Sequence, residues 1–163
     1  MKMLKPLLIT AAVIGIQGAA YAGNNSDLSR LHVQLSNQTA VVCYLHNQKL
    51  IHGLYESAPP PSIYPGNSQG VDIVQFSGWM GIEAEWTYWC SEPNYMITFR
   101  VGLPAHMLIG KTPTVKVIDS NWLKLDSSAQ SSSVFYGSAG ILYVGIQDIE
   151  NSARSRESNS NKQ

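Results

Sequence analysis

Alternation of apolar and polar residues with a period of two constrains the fold of this chain more than any other feature. Leu31, Val33 and Leu35 alternate with polar neighbours. Successive side chains of a β-strand point to opposite faces, so this period predicts strands with one buried face. The same character recurs in residues 39–46, 71–76, 82–90 and 95–101. No long stretch shows a helical period, and the chain is therefore predicted to be all-β, folded as a single antiparallel β-sandwich.

The remaining organisation follows from turn residues and from shorter apolar runs. A hairpin turn is predicted at Asn47-Gln48, and the prolines at 59–61 predict a loop, because proline removes ladder donors. Residues 127–133 are expected to form a polar loop and residues 137–140 a turn. Further strands are predicted at 114–118, 133–136 and 141–146.

Cys43 and Cys90 are the only cysteines, and each lies on the apolar face of a predicted strand. Two such cysteines in an exported chain are expected to form an intramolecular disulfide. Closing a loop of this length would stabilise the fold by about 4 kcal/mol in the chain-entropy model. A catalytic thiol is the alternative, and it needs an environment that lowers its pKa.

The first 22 residues have the features of a cleavable signal peptide. Lys2 and Lys5 precede an apolar run over residues 7–16, and Ala20-Tyr21-Ala22 fits the rule for cleavage by signal peptidase. A transmembrane anchor is the alternative, but the apolar run is shorter than the roughly 20 residues that span a bilayer. We therefore expect a secreted protein, extracellular or periplasmic, with a β-sandwich domain over residues 23–150. Residues 151–163 are rich in Ser and Asn and are expected to form a disordered polar tail.

Charge and motif content argue against nucleic-acid binding and against catalysis. Without residues 1–22 the chain has nine Lys and Arg against eleven Asp and Glu, a formal charge of −2. Nucleic-acid binders show a basic patch or stripe, which this sequence lacks. Glu83 and Glu85 share one strand face at a spacing near that of paired glycosidase acids, but such acids usually come from different strands, and a solvated outer face is the preferred explanation. The four histidines show no metal-ligand spacing, so we expect no enzyme, cofactor or metal.

Aromatic residues are concentrated between positions 79 and 89. Trp86 and Tyr88 share the face assigned to the core, whereas Trp89 lies on the opposite face and Trp79 lies between glycines. Aromatic side chains outside the core are often interface anchors, because one end is apolar and the other is wetted. The alternative for Trp79 is that it caps a sheet edge. Tyr64, in the proline-rich loop, is a further candidate for an exposed aromatic patch.

Five segments between residues 30 and 104 together carry a family resemblance. They are VQLSNQT at 33–39, HG at 52–53, PPPSIYPG at 59–66, SGWMGIEAEWTY at 77–88 and ITFRVGLP at 97–104, and a final strand near Ile141 also fits. In the order of these features the chain resembles the aegerolysin family of small lipid-binding β-sandwich proteins.

The resemblance implies a secreted, cytolysin-like protein that binds membrane lipid. It implies sphingolipid- or sterol-containing membranes as the target, with a second, pore-forming protein as a partner in some members. By position, Trp79, Trp89 and Tyr64 are the candidate membrane-facing residues. The alternative is a secreted, non-enzymatic interaction module that binds a protein or a glycan on a sheet face.

Overall fold

A computed structural model describes residues 29–75, 80–90, 95–105, 112–134 and 137–149. The predicted signal peptide, the predicted tail and Trp79 lie outside these residues. All ten elements in the described part are β-strands: β1 Ser29–Asn37, β2 Cys43–His52, β3 Leu54–Ser57, β4 Ser62–Ile63, β5 Ser68–Gln75, β6 Ile82–Cys90, β7 Met96–Leu103, β8 Thr114–Asn121, β9 Leu123–Val134 and β10 Gly137–Asp148. No helix among the described residues is long and apolar enough to cross a bilayer.

The strands form two five-stranded sheets that pack face to face. The first sheet has the order β3-β5-β1-β10-β9, and the second has the order β4-β2-β6-β7-β8. Neighbouring strands are antiparallel except for β1 and β10, which run parallel from the Arg30–Ala139 pair to the Asn37–Ile146 pair. The predicted all-β sandwich is therefore confirmed, with one parallel pair in an otherwise antiparallel fold.

Much of the core comes from the inner faces of β1, β6 and β7, where burial alternates strictly in β1 and β7 and is interrupted in β6 only by buried Thr87. Trp86, Tyr88 and Phe99 are fully buried, and Phe99 meets Trp86 edge-on with ring centroids 5.7 Å apart. Both polar groups of these rings are satisfied, because Trp86 donates to the Tyr55 hydroxyl at 2.8 Å and Tyr88 donates to the Pro60 carbonyl at 3.0 Å. Burial raises the pKa of the Tyr88 phenol far above its usual value.

The hairpin predicted at Asn47-Gln48 is wrong. β2 continues from Cys43 to His52, and the pairing with β6 shifts by one residue between Leu45 and Asn47. The turn-forming residues therefore mark a β-bulge within one strand, with His46 as the extra residue.

The polar segment 127–133 and the glycine-rich segment 137–140 are strands, not the predicted loop and turn. They belong to β9 and β10, which pair over their whole length. Small polar side chains are tolerated in β9 because it is an edge strand, exposed over residues 126–131. Gly140 serves close packing, since a side chain there would collide with Pro113.

Candidate functional site

The disulfide joins two residues that face each other across neighbouring strands. Cys43 pairs with Cys90 in the register of β2 and β6, and the sulfur atoms are 1.98 Å apart. The predicted disulfide is confirmed, and it is compatible with an extracellular location. At this end of the second sheet, β2 and β7 begin and β6 and β8 end. We call it the disulfide end.

Strand alternation places aromatic side chains on the outer surface directly beside the disulfide. Tyr44 and Trp89 are register partners, each adjacent in sequence to a cysteine and on the opposite face from it. Tyr44 is 55% exposed, whereas Trp89 is partly buried. Trp89 therefore lies on the outer face of the sheet, in a row with Tyr44 and with Met96 of β7.

The bulge in β2 determines the environment of Trp89. The His46 ring stacks on the indole, with centroids 3.6 Å apart and planes 13° from parallel. The Trp89 Nε1–H is buried and has no hydrogen-bond partner among the described residues. Trp89 is thus a ring supported on one face by His46, with an N–H that the described protein groups leave unsatisfied.

Tyr64 is presented by a tight turn that directly follows β4. Its carbonyl accepts a hydrogen bond from Asn67 N at 3.0 Å, and Gly66 between them has a φ of 72°. Proline at the second position and a positive-φ glycine at the third define a type II turn. Asn37 holds the turn against the sandwich through two hydrogen bonds. Its backbone carbonyl accepts from Gly66 N at 2.8 Å, and its side-chain amide donates to the Ile63 carbonyl at 2.8 Å. The Tyr64 side chain is 57% exposed.

Trp122 is the residue at this end that the sequence interpretation missed. It forms the one-residue connection between β8 and β9, is 52% exposed and has a φ of 61°. Its ring stacks on Tyr95, with centroids 6.5 Å apart, and its carbonyl accepts from Ile149 N at 3.1 Å. A left-handed conformation is unfavourable for a bulky residue, so the surrounding strands must hold it in place. The signal in the sequence was Ser120-Asn121, polar turn-forming residues just before a lone Trp.

These exposed and partly buried aromatic residues lie together at the disulfide end, and we call them the aromatic rim. The rim consists of Tyr44, Tyr64, Trp89, Tyr95 and Trp122. Cys43 pairs with both Ile63 and Cys90, and Met96 pairs with both Trp89 and Asn121, which makes the rim residues neighbours across the sheet. The structure thus brings Tyr64 and Trp89 to one end, with Tyr64 exposed and Trp89 partly buried. It does not describe Trp79.

The chain around the rim carries almost no formal charge. Four of the rim aromatics lie in segments of the sequence that contain no Asp, Glu, Lys or Arg. These segments are 31–48, 57–71, 86–91 and 120–123. Carboxylates and ammonium groups are strongly hydrated and oppose transfer to an apolar or interfacial environment. A surface of exposed aromatics in uncharged chain is therefore suited to contact with a neutral, amphipathic partner.

Glu83 and Glu85 lie at the other end of the same outer face and form a salt bridge with a single guanidinium. Arg100 donates to Glu83 at 2.9 Å and to Glu85 at 2.8 Å. The hydrogen bond to Glu85 raises the pKa of Arg100 above its usual value. An open groove of about 390 Å³ beside Gly102 borders this cluster. No group of three His, Cys, Asp or Glu in the described part of the chain could hold a metal ion.

The outer face of the first sheet carries an ordered polar network. His32 bonds to Asp72 at 2.8 Å and to Gln34 at 3.3 Å, and Gln34 donates to Ser68 at 2.8 Å. The imidazole lies over Gly70, where a Cβ would be 2.8 Å from the ring. These hydrogen bonds connect the side chains of His32, Asp72, Gln34 and Ser68 into one network on the surface.

The fold and the rim define a small, disulfide-bonded β-sandwich with an aromatic end that carries few charged residues. Among solved structures the chain is similar to the lipid-binding protein Nakanori, with a TM-score of 0.54 and 9% sequence identity, over 72% of this chain and 70% of that one. No protein-family model matches the chain, and no curated protein matches its sequence. At this identity the similarity shows a shared fold. Membership of the aegerolysin family stays a prediction.

Proposed function

We propose that this protein is a secreted membrane-lipid-binding protein whose contact surface is the aromatic rim. The observation that carries the proposal is the convergence of Tyr44, Tyr64, Trp89, Tyr95 and Trp122 on one end of the sandwich, where four of the five lie in segments without charged residues. The shared fold with a protein described as lipid-binding supports it. In this proposal residues 1–22 direct export, and the domain over residues 23–150 acts outside the cell or in the periplasm.

Shallow insertion at the level of the lipid headgroups is the mechanism that the rim favours. Tyrosine and tryptophan have apolar rings and a polar N–H or O–H, and they concentrate at membrane–water interfaces. Tyr64 and Trp122 project from turns, where a ring can enter the interface without moving the strands. Full burial of an aromatic ring contributes about 2–3 kcal/mol, so a ring that is half-exposed in the free protein would contribute about 1 kcal/mol.

The scarcity of charged residues in the segments that carry the rim favours neutral or zwitterionic lipids over anionic ones. Basic segments bind anionic leaflets through charge attraction that salt screens within a Debye length. The rim has no such segment, so burial of the rings should dominate the binding. We therefore expect vesicle binding to change little between low and high salt, and to need no anionic lipid. The aegerolysin resemblance directs the first assay to vesicles of sphingomyelin, phosphatidylcholine and sterol.

Co-sedimentation of the purified, disulfide-bonded protein with these vesicles tests the proposal. Trp122→Ala and Tyr64→Ala should each weaken binding roughly five- to tenfold, the equivalent of about 1 kcal/mol per ring. Tyr143→Ala is the matched control, because Tyr143 is a partly exposed aromatic on the outer face of the other sheet. Absence of binding to every vesicle, or equal loss in all three variants, would overturn the proposal.

Cytolysis is the finer part of the proposal. The family resemblance implies a division of labour in which one protein recognises lipid and a second forms the pore. We propose that this chain is the lipid-recognising member, since turn-borne rings suit attachment at the interface. Dye-loaded vesicles should therefore bind the protein without releasing dye. Release by this chain alone would show that it forms pores itself and would contradict this assignment.

Glycan or protein binding on the first sheet is the second candidate. The fixed polar network of His32, Asp72 and Gln34 offers directed donors and acceptors beside the exposed ring of Tyr143. That arrangement suits a neutral polyhydroxylated ligand, whose hydroxyl groups need both donors and acceptors. Retention on immobilised neutral glycans that is lost in Gln34→Ala and kept in Trp122→Ala would favour this candidate over lipid binding.

A further inference from the structure

β8 is an exposed edge strand with an unusual apolar centre. It pairs with β7 on one side, and no described strand pairs with its other side. Val117 and Ile118 at its centre are 40% and 44% exposed. Lys116 and Asp119 flank them, and neither forms an ion pair with another described residue. Edge strands normally avoid such apolar centres, because their unpaired backbone groups are a template for another strand.

The sequence of β8 is complementary to itself when two copies are antiparallel. In the register of full overlap, Lys116 lies opposite Asp119 of the second copy, and Val117 lies opposite Ile118. The same two pairs recur by symmetry, so both charges and both apolar residues are matched twice. Opposite charges and β-branched residues in directly facing positions stabilise a strand pair.

The bulge in β8 makes this register consistent with the two faces of the sheet. Lys116 pairs with Arg100 and Asp119 pairs with Thr98, so both lie on the outer face. Val117 pairs with buried Phe99 on the inner face, and the register shift between Thr98 and Phe99 makes Ile118 the extra residue. Facing residues in a strand pair must point to the same side. Without the bulge, full overlap would oppose outer residues to inner ones.

We propose that β8 pairs with β8 of a second copy to form a two-fold symmetric dimer with a continuous ten-stranded sheet. The other sheet edges offer no comparable register: β3 and β4 are short, and the centre of β9 is a run of uncharged small residues. Such a contact is isologous and closed, and therefore stops at two subunits.

The dimer has a consequence that rests on the proposed function. Trp122 follows the last residue of β8, so antiparallel pairing directs the two aromatic rims to opposite ends of the dimer. Eight paired residues separate the two rims by roughly 26 Å along the strand direction, at about 3.3 Å per residue. One dimer would then contact two bilayers and cluster vesicles.

Charge exchange tests the pairing directly. Sedimentation equilibrium should show a dimer for the unchanged protein. Lys116→Asp or Asp119→Lys alone should weaken it at least tenfold, because two facing pairs become like-charged. The double exchange restores both attractions and should restore the dimer. Lys124→Asp and Asp126→Lys on β9 are matched controls that should leave it unchanged. A monomer at every concentration, or a dimer insensitive to both single changes, would overturn the proposal.

Vesicle turbidity separates this inference from the proposed function. If the protein dimerises through β8 but binds no vesicle, the dimer stands and the lipid proposal fails. If the monomeric single-charge variants and the unchanged protein cluster vesicles equally, the dimer fails as the source of clustering while lipid binding stands. The expected result is that the single-charge variants bind vesicles without clustering them.

Discussion

Trp122 offers a test of the rim geometry that needs no lipid. Its φ of 61° lies in the region that only glycine adopts readily, and it stacks on Tyr95. Replacing Trp122 by alanine removes the stack and keeps the backbone strain. Replacing it by glycine removes both.

The structure predicts an order of stability that side-chain size alone would not give. Loss of the stack costs about 0.5–1.5 kcal/mol in either variant. Glycine regains roughly 1–2 kcal/mol by relieving the left-handed conformation. It loses about 0.5–1 kcal/mol relative to alanine because its unfolded state has more conformational freedom. Trp122→Gly should therefore be more stable than Trp122→Ala by about 0.5–1 kcal/mol.

Urea unfolding followed by far-ultraviolet circular dichroism measures this difference without relying on the fluorescence of the removed ring. Equal slopes in the variants would allow midpoints to be converted into free energies. An alanine variant as stable as the glycine variant, or more stable, would show that Trp122 does not adopt the left-handed conformation in solution. Both variants should bind vesicles weakly, which separates the loss of binding from the loss of stability.

Three further measurements test the contributions of the disulfide, two glycines and Tyr88 to the stability of the fold. Reduction of the Cys43–Cys90 disulfide, which closes a sequence separation of 47, should lower the free energy of unfolding by about 4 kcal/mol in urea titrations with and without reductant. Gly53→Ala should lower the free energy of unfolding by about 1–3 kcal/mol, because φ at Gly53 is 116° and the new Cβ would lie 2.9 Å from a core side chain. Gly66→Ala should lower it less, because Gly66 has a φ of 72° and no atom within 4 Å of the new Cβ. The raised pKa of Tyr88 keeps its proton on the folded protein, so stability should fall as the pH rises above 10.0, and it should fall less steeply in Tyr88→Phe.

The sequence predicted best which face of each strand a side chain would point to. β6 covers the predicted segment 82–90, and Trp86 and Tyr88 are buried on the face opposite Trp89. The disulfide was predicted by the same alternation, which places Cys43 and Cys90 on inner faces. This succeeds because one face of each central strand is buried, so a one-residue slip would expose its whole apolar set.

Edge strands and bulges were beyond such reasoning. β9 buries Leu123 and packs Leu125 against the core, but from Asp126 onward it contains mostly serine and other polar residues, and this part pairs with β10 through ladder hydrogen bonds. Asn47-Gln48 has the composition of a turn and forms part of a bulge. In both places tertiary pairing overrides the local propensity.

The rim was only partly predictable, because its members come from separate parts of the chain. The cluster of aromatics at positions 79–89 drew attention to Trp79 and Trp89. The structure places Trp89 at one end with Tyr44, Tyr64, Tyr95 and Trp122, whereas Trp79 lies outside the described residues. Only the strand registers bring these residues together, and registers between strands distant in sequence are not written in any local pattern.

The way the rim is held makes it suited to binding with little loss of conformational freedom. Tyr64 stands on a hydrogen-bonded turn, Trp89 is stacked on His46, and Trp122 is fixed by its strand connection and by Tyr95. Immobilising a flexible side chain on binding costs about 0.5–1.5 kcal/mol, and rings already held in place avoid most of that cost. The disulfide next to Tyr44 and Trp89 adds to the same rigidity. In the proposed function, the rings of Trp89, Tyr95 and Trp122 already stack on neighbouring rings and would therefore lose little conformational freedom when they contact lipid.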